Sequence, residues 1–141
     1  MSSSSPGNQL SRILPVTKRT GIIFGSNEEF RSSLALLLED DFKIWKESDL
    51  HKALNRAGNL KVDLLILDFD LYNDYDWSAV SGYGLNGLKT KIISIYIYNK
   101  NVHKYDLELK KISDAVLYKP LDIDKFLKTV KRLCFKAEAA K

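Results

Sequence analysis

The sequence has little of what disulfide-rich, zinc-binding and membrane-spanning proteins depend on. Its 141 residues include a single cysteine, Cys134, so no internal disulfide can form, which suits a reducing cytoplasm. The two histidines, His51 and His103, lie far apart in lysine-rich surroundings and make no zinc-type cluster. No apolar run is long enough to cross a bilayer, and the first residues lack the pattern of a signal peptide. We therefore expect a cytoplasmic protein without a membrane partner.

Strong charge of one sign is also missing. The net charge is +4, from 22 lysines and arginines against 18 acids, and much of the excess falls in the last third. A solvated lysine face on a C-terminal helix accounts for this excess, so we expect no nucleic-acid partner. Apolar residues make up 45% of the chain, as in ordinary globular domains. The Ser- and Pro-containing start predicts a disordered lead-in over 1–19, and one domain follows over 20–141.

Strand-like and helix-like segments alternate along this domain. Short apolar or alternating runs predict five strands, at 21–24, 42–46, 62–68, 91–98 and 114–118. The stretches between them predict helices over 26–40, 48–57, 76–89, 101–112 and 121–140. Ser26 and Glu29 have capping-box spacing at the first helix, and three glycines make the third short or irregular. Five such units predict an α/β protein with a doubly wound, five-stranded parallel sheet and helices on both faces.

Two charged residues are expected at the sheet edge where such proteins bind ligands. Asp68 ends the third predicted strand, and Lys119 directly follows the fifth. The carboxyl ends of parallel strands share one edge, so the fold can bring these side chains together. At a separation of about 4 Å their attraction is on the order of 4 kcal/mol, before desolvation is subtracted. Of the acids that follow, we interpret Asp74 and Asp76 as solvated and keep Asp70 as a ligand candidate.

These elements resemble the receiver domain of two-component response regulators. The strand LLILD ending in Asp68 and the stretch DAVLYKPLD around Lys119 carry the resemblance, which covers roughly residues 20–136. It implies a flavodoxin-like, CheY-like fold with Asp68 at the phospho-acceptor position and Lys119 at a phosphoryl-contact position. In that family a histidine kinase supplies the phosphoryl group, and the output is often contact with another protein.

The sequence departs from the family pattern at two places. The family ends its first strand in two adjacent acids that hold Mg²⁺, whereas Gly25 and Ser26 stand here and Glu28 lies further on, in the helix. The family's small hydroxyl residue after the fourth strand, which also contacts the phosphoryl group, corresponds to Tyr96 or Tyr98, depending on register.

These departures favour an atypical receiver, a pseudo-receiver, that acts through protein–protein contacts and requires no cofactor. The alternative is a conventional receiver phosphorylated on Asp68, with Mg²⁺ held by Asp68, Asp70 and Glu28. The partner would be a histidine kinase, a downstream regulator or a second copy of the chain. The resemblance places the interaction face on the fourth helix, fifth strand and last helix, and we expect it to include Val102, Tyr105, Leu109 and Tyr118.

An enzyme is the third interpretation. The stretch LLILDFDLY also resembles the first motif of haloacid dehalogenase-like phosphatases, which implies Asp68 as nucleophile and Asp70 as general acid. Ser94, Lys119 and the acids Asp122 and Asp124 would then complete the site. However, those phosphatases place this motif near the N-terminus, and Lys119 and Asp122 are too close in sequence to lie on separate strands. We therefore expect no enzymatic activity.

Overall fold

The computed structural model describes residues 18–70, 75–84 and 89–135 of the chain. Within these ranges five strands alternate with five helices. The strands are β1 (Arg19–Phe24), β2 (Phe42–Glu47), β3 (Leu64–Asp68), β4 (Lys91–Tyr96) and β5 (Ala115–Tyr118). The helices are α1 (Glu28–Leu38), α2 (Leu50–Asn59), α3 (Trp77–Gly84), α4 (His103–Ile112) and α5 (Ile123–Cys134), and a 3-10 turn at Lys100–Val102 precedes α4.

The five strands form one parallel sheet in the order β2-β1-β3-β4-β5. The chain moves outward from β1 to β2, then crosses back to β3, so the order reverses between β1 and β3. Apolar residues of α2, α3 and α4 pack on one face of the sheet, and those of α1 and α5 pack on the other. The predicted α/β fold with a doubly wound parallel sheet is confirmed.

The central strand β3 is buried on both faces, as its continuous apolar sequence predicts. Leu65 and Leu67 pack with the α2, α3 and α4 side, whereas Leu64 and Ile66 pack with the α1 and α5 side. This alternation holds β3 in place from both faces, so its last residue, Asp68, is fixed at the edge of the sheet.

The ends of several elements differ from the prediction. β1 begins at Arg19, inside the segment expected to be a lead-in, and residues 1–17 lie outside the described ranges. β4 ends at Tyr96, because the last residue of β5, Tyr118, pairs with it there. The last helix ends at Cys134, with Phe135 at its C-cap, and the predicted continuation from residue 136 lies outside the described ranges.

The start of α1 corrects the expected capping box. Asn27, not Ser26, caps the helix, because its side-chain oxygen accepts a hydrogen bond from the backbone N–H of Phe30 at 2.8 Å. Glu29 lies exposed in the first turn, where its charge suits the helix dipole.

The connection from β3 to α3 is described only in part. Asp74 and residues 85–88 fall outside the described ranges, so the expectation for that acid stays a prediction. Asp76 is exposed, as expected, and its carboxylate also accepts hydrogen bonds from the hydroxyl of Ser78 at 2.8 Å and the N–H of Ala79 at 3.1 Å, at the start of α3. It also lies 2.9 Å from Nε2 of His51. Among the described residues no helix is long and apolar enough to cross a membrane.

Candidate functional site at the carboxyl edge of the sheet

A cleft of about 360 Å³ opens at the carboxyl edge of the sheet, where the strand order reverses. Its lining comes from the residues that follow β1, β3, β4 and β5: Ser26, Asn27, Asp68, Phe69, Asp70, Ile97 and Lys119. The structure thus brings the two rim residues expected from the sequence, Asp68 and Lys119, into one site.

Asp68 and Lys119 form an ion pair inside this cleft. Nζ of Lys119 lies 2.8 Å from Oδ1 of Asp68, and the Asp68 side chain is only 4% exposed, against 28% for Lys119. Among the described residues Oδ1 accepts no well-aligned hydrogen bond, so the contact is chiefly one between charges. The same Nζ lies 4.3 Å from the ring centroid of Phe30, a favourable cation–π distance. The peptide bond from Lys119 to Pro120 is cis.

Burial dominates the ionisation of Asp68. Loss of hydration raises the pKa of this carboxyl above its ordinary value of 3.8, and the charge of Asp70 acts in the same direction. The close contact with Lys119 and its positive charge lower the pKa, but they do not offset the burial. The folded protein therefore holds the Asp68 carboxylate at a net cost.

Gly25, which directly follows β1, packs against Asp68. A Cβ atom added at Gly25 would lie 3.1 Å from both Cβ and Oδ2 of Asp68. The backbone of Gly25 is fixed on both sides, because its N–H donates to the carbonyl of Glu47 at 3.0 Å and its own carbonyl accepts a hydrogen bond from Nη1 of Arg31. A side chain fits at this position only if Asp68 moves by a few tenths of an ångström.

The three carboxylates expected as metal ligands do not meet. Asp68 and Asp70 line the cleft, but Glu28 is exposed in the first turn of α1 and is not part of the lining. In the described ranges no three Asp, Glu, His or Cys side chains lie close enough to hold a metal ion. Mg²⁺ requires a near-ideal octahedron of oxygen ligands. The donor set present in the cleft does not fit a magnesium ion held by three carboxylates.

The residue after β4 that lines the cleft is Ile97, and neither Tyr96 nor Tyr98, the two candidates for a phosphoryl contact, is among the lining residues. Tyr96 pairs with Tyr118, so the next residue in each strand, Ile97 and Lys119, points to the cleft. Side chains alternate along an extended chain, and residues 96 and 98 therefore turn away from it. Knowing which residue of β5 pairs with β4 would have identified Ile97, which is 57% exposed.

Solved structures with the same fold identify the architecture. The receiver domain of a Francisella response regulator matches with a TM-score of 0.70 and 17% identity, over 85% of this chain and 99% of that one. A Burkholderia pseudomallei response regulator, crystallised with a phosphorylated aspartic acid, calcium ion and citrate, matches at 0.66 and 21%, over 87% and 72%. The chain has the fold of a receiver domain.

A third neighbour belongs to a family of redox sensors in the streptococci that evolved from two-component response regulators. It matches with a TM-score of 0.72 and 13% identity, over 86% of this chain and 53% of that one, so this chain spans about half of its length. No protein-family model matches the sequence, and no curated protein matches it. At these identities the likeness shows the fold, and at that level it confirms the resemblance drawn from the sequence.

On this receiver fold, Tyr96 belongs to a buried polar network rather than to the cleft. Its hydroxyl donates to Oδ1 of Asp106 at 2.5 Å, and the hydroxyl of Tyr118 donates to the same oxygen at 2.6 Å. Nζ of Lys110 lies 3.2 Å from Oδ2. Burial alone would raise the pKa of the Asp106 carboxyl, but the two hydroxyls and Lys110 hold it below its ordinary value. One signal for this network is visible in the sequence, the helical i, i+4 spacing of Asp106 and Lys110.

The predicted interaction face lies only partly at the surface. Val102 and Leu109 are buried in the core, because their helical spacing turns both toward the sheet, so neither is exposed for contact with a partner. Tyr105 is half-buried and stacks on Trp77, with ring centroids 5.2 Å apart and ring planes at 21°. Tyr118 is exposed, as a contact residue requires.

Two of the residues that a phosphatase would need, Ser94 and Asp122, lie away from the cleft. The Ser94 hydroxyl is fully buried within β4 and lies 2.7 Å from that of Ser113. Asp122 caps α5 by accepting a hydrogen bond from the N–H of Lys125 at 3.1 Å. Neither Ser94 nor Asp122 lines the cleft that contains Asp68 and Lys119.

Proposed function

We propose that this chain is an atypical receiver-type signalling domain, a pseudo-receiver, that acts through contact with a protein partner. The observation that carries the proposal is the packing of Gly25 against Asp68, at the place where the family resemblance implies a metal-binding acid. Lys119 already contacts the Asp68 carboxylate at 2.8 Å. The pair therefore acts as a standing structural contact rather than as a site awaiting a metal ion and a phosphoryl group.

The charge of the cleft supports the same conclusion. Asp68, Asp70 and Lys119 are the charged residues among its lining and sum to −1. A bound Mg²⁺ would bring the sum to +1, whereas three carboxylates, Mg²⁺ and lysine, as the family resemblance implies, sum to zero. Phosphoryl transfer depends on such a cation to neutralise developing charge. The cleft attracts Mg²⁺ weakly for lack of the third carboxylate.

A conventional receiver is the second candidate. The Burkholderia regulator was crystallised with a phosphorylated aspartic acid and a calcium ion, so a protein of this fold can hold both. The observation that favours this candidate is the open cleft of about 360 Å³ beside Asp68, which leaves room for a phosphoryl group.

A protein partner fits the exposed aromatic pair Tyr98 and Tyr118. Their ring centroids are 5.5 Å apart, and the side chains are 41% and 38% exposed. Exposed aromatic rings are frequent anchors of protein interfaces. A histidine kinase, a downstream regulator or a second copy of the chain are the partners that this proposal includes.

The redox role of the streptococcal neighbour is not part of this proposal, because burial raises the pKa of the Cys134 thiol to about 11 and disfavours the reactive thiolate.

The deciding experiment is an amide NMR titration with Mg²⁺ and then with beryllofluoride, which mimics an aspartyl phosphate. We expect no saturable shifts at Asp68 or Lys119 in the wild-type chain. The variant Ser26→Asp adds a third carboxylate to the cleft and should gain saturable Mg²⁺ shifts. Its matched control, Ser33→Asp, makes the same change at an exposed position of α1 that does not line the cleft. Saturable wild-type shifts that disappear in Asp68→Asn would replace the pseudo-receiver with the conventional receiver.

A further inference from the structure

A second hollow lies between α3 and α4 and shares no lining residue with the Asp68 cleft. Its volume is about 340 Å³, near the lower end of the range for sites that bind small molecules. Trp77, Tyr105, Leu109 and Ile112 supply its apolar lining, and we call it the α3–α4 groove. An apolar groove of this size suits a ligand of one or two rings.

The aromatic lining of the groove is preformed. Trp77 and Tyr105 stack at 5.2 Å with ring planes only 21° apart, so they present nearly parallel rings. Both side chains are half-buried, and Trp77 is held from behind by Phe69, whose ring centroid is 5.2 Å away. Aromatic side chains fixed in this way favour stacked or edge contacts with another flat ring.

Two residues of opposite charge, Glu108 and Lys104, line the groove, and of these two only Glu108 has an ion-pair partner among the described residues. Glu108 forms an ion pair with Lys111, with Nζ and Oε2 3.2 Å apart. Lys104 lines the groove and is exposed, and it makes no ion pair with any residue in the described ranges. The remaining lining residue, Ser81, is uncharged and contributes a hydroxyl. A ligand that complements the groove therefore carries a negative charge.

We infer that the α3–α4 groove binds a small aromatic anion, with its ring against Trp77 and Tyr105 and its carboxylate or sulfonate at Lys104. Such a ligand contacts Trp77, whose ring packs against Phe69, and Phe69 lines the Asp68 cleft. The inference does not depend on how Asp68 is used, because the two sites have separate linings.

The test is a fluorescence titration of the whole chain with anilinonaphthalene sulfonate, an aromatic anion. We expect saturable binding at one site. The variant Lys104→Gln removes one exposed charge contact and should weaken binding by about two- to five-fold. Ser81→Leu fills the groove from its polar side and should abolish binding. Lys128→Gln, an equal change at an exposed position of α5, should leave the affinity unchanged. Circular dichroism of each variant establishes that it folds.

Equal affinity of the wild-type chain and folded Ser81→Leu would overturn the inference, because the dye would then bind elsewhere. Equal binding of a sulfonate-free phenylnaphthylamine would overturn the assignment to an anion. Displacement of the dye by an apolar peptide but not by benzoate would give the groove to a protein partner instead. Each result is independent of the Mg²⁺ titration at Asp68, so failure here is distinguishable from failure of the proposed function.

Discussion

Replacing Asp68 with asparagine should stabilise the fold at neutral pH, although it removes one member of an ion pair. Two unit charges 2.8 Å apart attract by about 6 kcal/mol at an effective dielectric constant near 20. Taking a carboxylate out of water costs several kcal/mol, and the raised pKa of Asp68 means that this cost is the larger of the two. An uncharged amide of the same shape avoids it. We therefore expect the free energy of unfolding to rise in this variant.

The effect has a defined pH dependence. The folded pKa of Asp68 lies above the ordinary value of 3.8, so both states bind the proton below that value and the penalty is absent. The penalty grows as the pH rises from 3.8 through the folded pKa and is complete above it. The stability difference between Asp68→Asn and the wild-type chain should therefore be largest at neutral pH and vanish at the acid end.

Removing Lys119, the other member of the ion pair, should have the opposite effect on stability. Lys119→Met takes away the attraction and leaves the burial of Asp68, so the free energy of unfolding should fall at neutral pH. Breaking a fully buried pair in this way costs about 3–5 kcal/mol, and the partial exposure of Lys119 reduces our expectation to about 1–3 kcal/mol.

Urea unfolding followed by the fluorescence of Trp45 and Trp77 measures both changes, as shifts of the midpoint at constant slope. Asp40→Asn, which neutralises an exposed acid outside the cleft, is the matched control and should change the midpoint little. If Asp68→Asn lowered the free energy of unfolding by about 1 kcal/mol or more at neutral pH, the attraction would outweigh the burial and the reasoning from the raised pKa would be refuted.

Three further predictions concern packing, buried hydroxyls and the thiol. Gly25→Ala should lower the free energy of unfolding by about 1–2 kcal/mol, because its methyl group would press on the buried aspartate that lines the cleft. Gly58→Ala in α2, where the added methyl group meets open space, should raise thermal stability. Tyr96→Phe should lower the free energy of unfolding, measured in urea, by about 2 kcal/mol and Tyr118→Phe by about 1 kcal/mol. The losses differ because water can reach the hydrogen bond of the Tyr118 hydroxyl but not that of Tyr96; equal losses would contradict this. Burial raises the pKa of the Cys134 thiol to about 11, so this thiol should react with iodoacetamide more slowly than a free peptide thiol at mildly alkaline pH. Mass spectrometry of the alkylated protein, with and without urea, shows whether unfolding removes the difference in rate.

The sequence predicted the order of elements because each strand has its own local signal. The continuous apolar run of β3 and the β-branched run of β4 define buried strands without reference to the rest of the chain. Asp68 and Lys119 could be placed at one edge because parallel strands share their carboxyl ends. The exposed side of α4 and of the turn before it was harder to predict. Apolar residues such as Val102 and Leu109 suit either the core or an interface, and only packing against the sheet decides between the two.

The pairing of β4 with β5 could not be read from either strand alone. A shift of one residue turns every side chain to the other face, so the choice between Tyr96, Ile97 and Tyr98 needed the partner of Tyr118. The consequence for the cleft is chemical rather than geometrical. Ile97 places a hydrocarbon side chain in the cleft, whereas the small hydroxyl residue of the family pattern would donate a hydrogen bond to a phosphoryl oxygen.

The residues at which the cleft departs from the family pattern also explain the ionisation of Asp68. Gly25 allows the backbone to approach the carboxylate closely, and Phe69 and Ile97 add apolar groups to the lining, so less water surrounds the charge. Less water raises the pKa of Asp68 and leaves Lys119 as its one cationic neighbour in the cleft lining. On the proposal made above, a divalent cation that surrenders its own hydration reluctantly gains little in such a site. One added carboxylate at Ser26 changes this balance, and that variant is therefore the sharpest probe of the proposal.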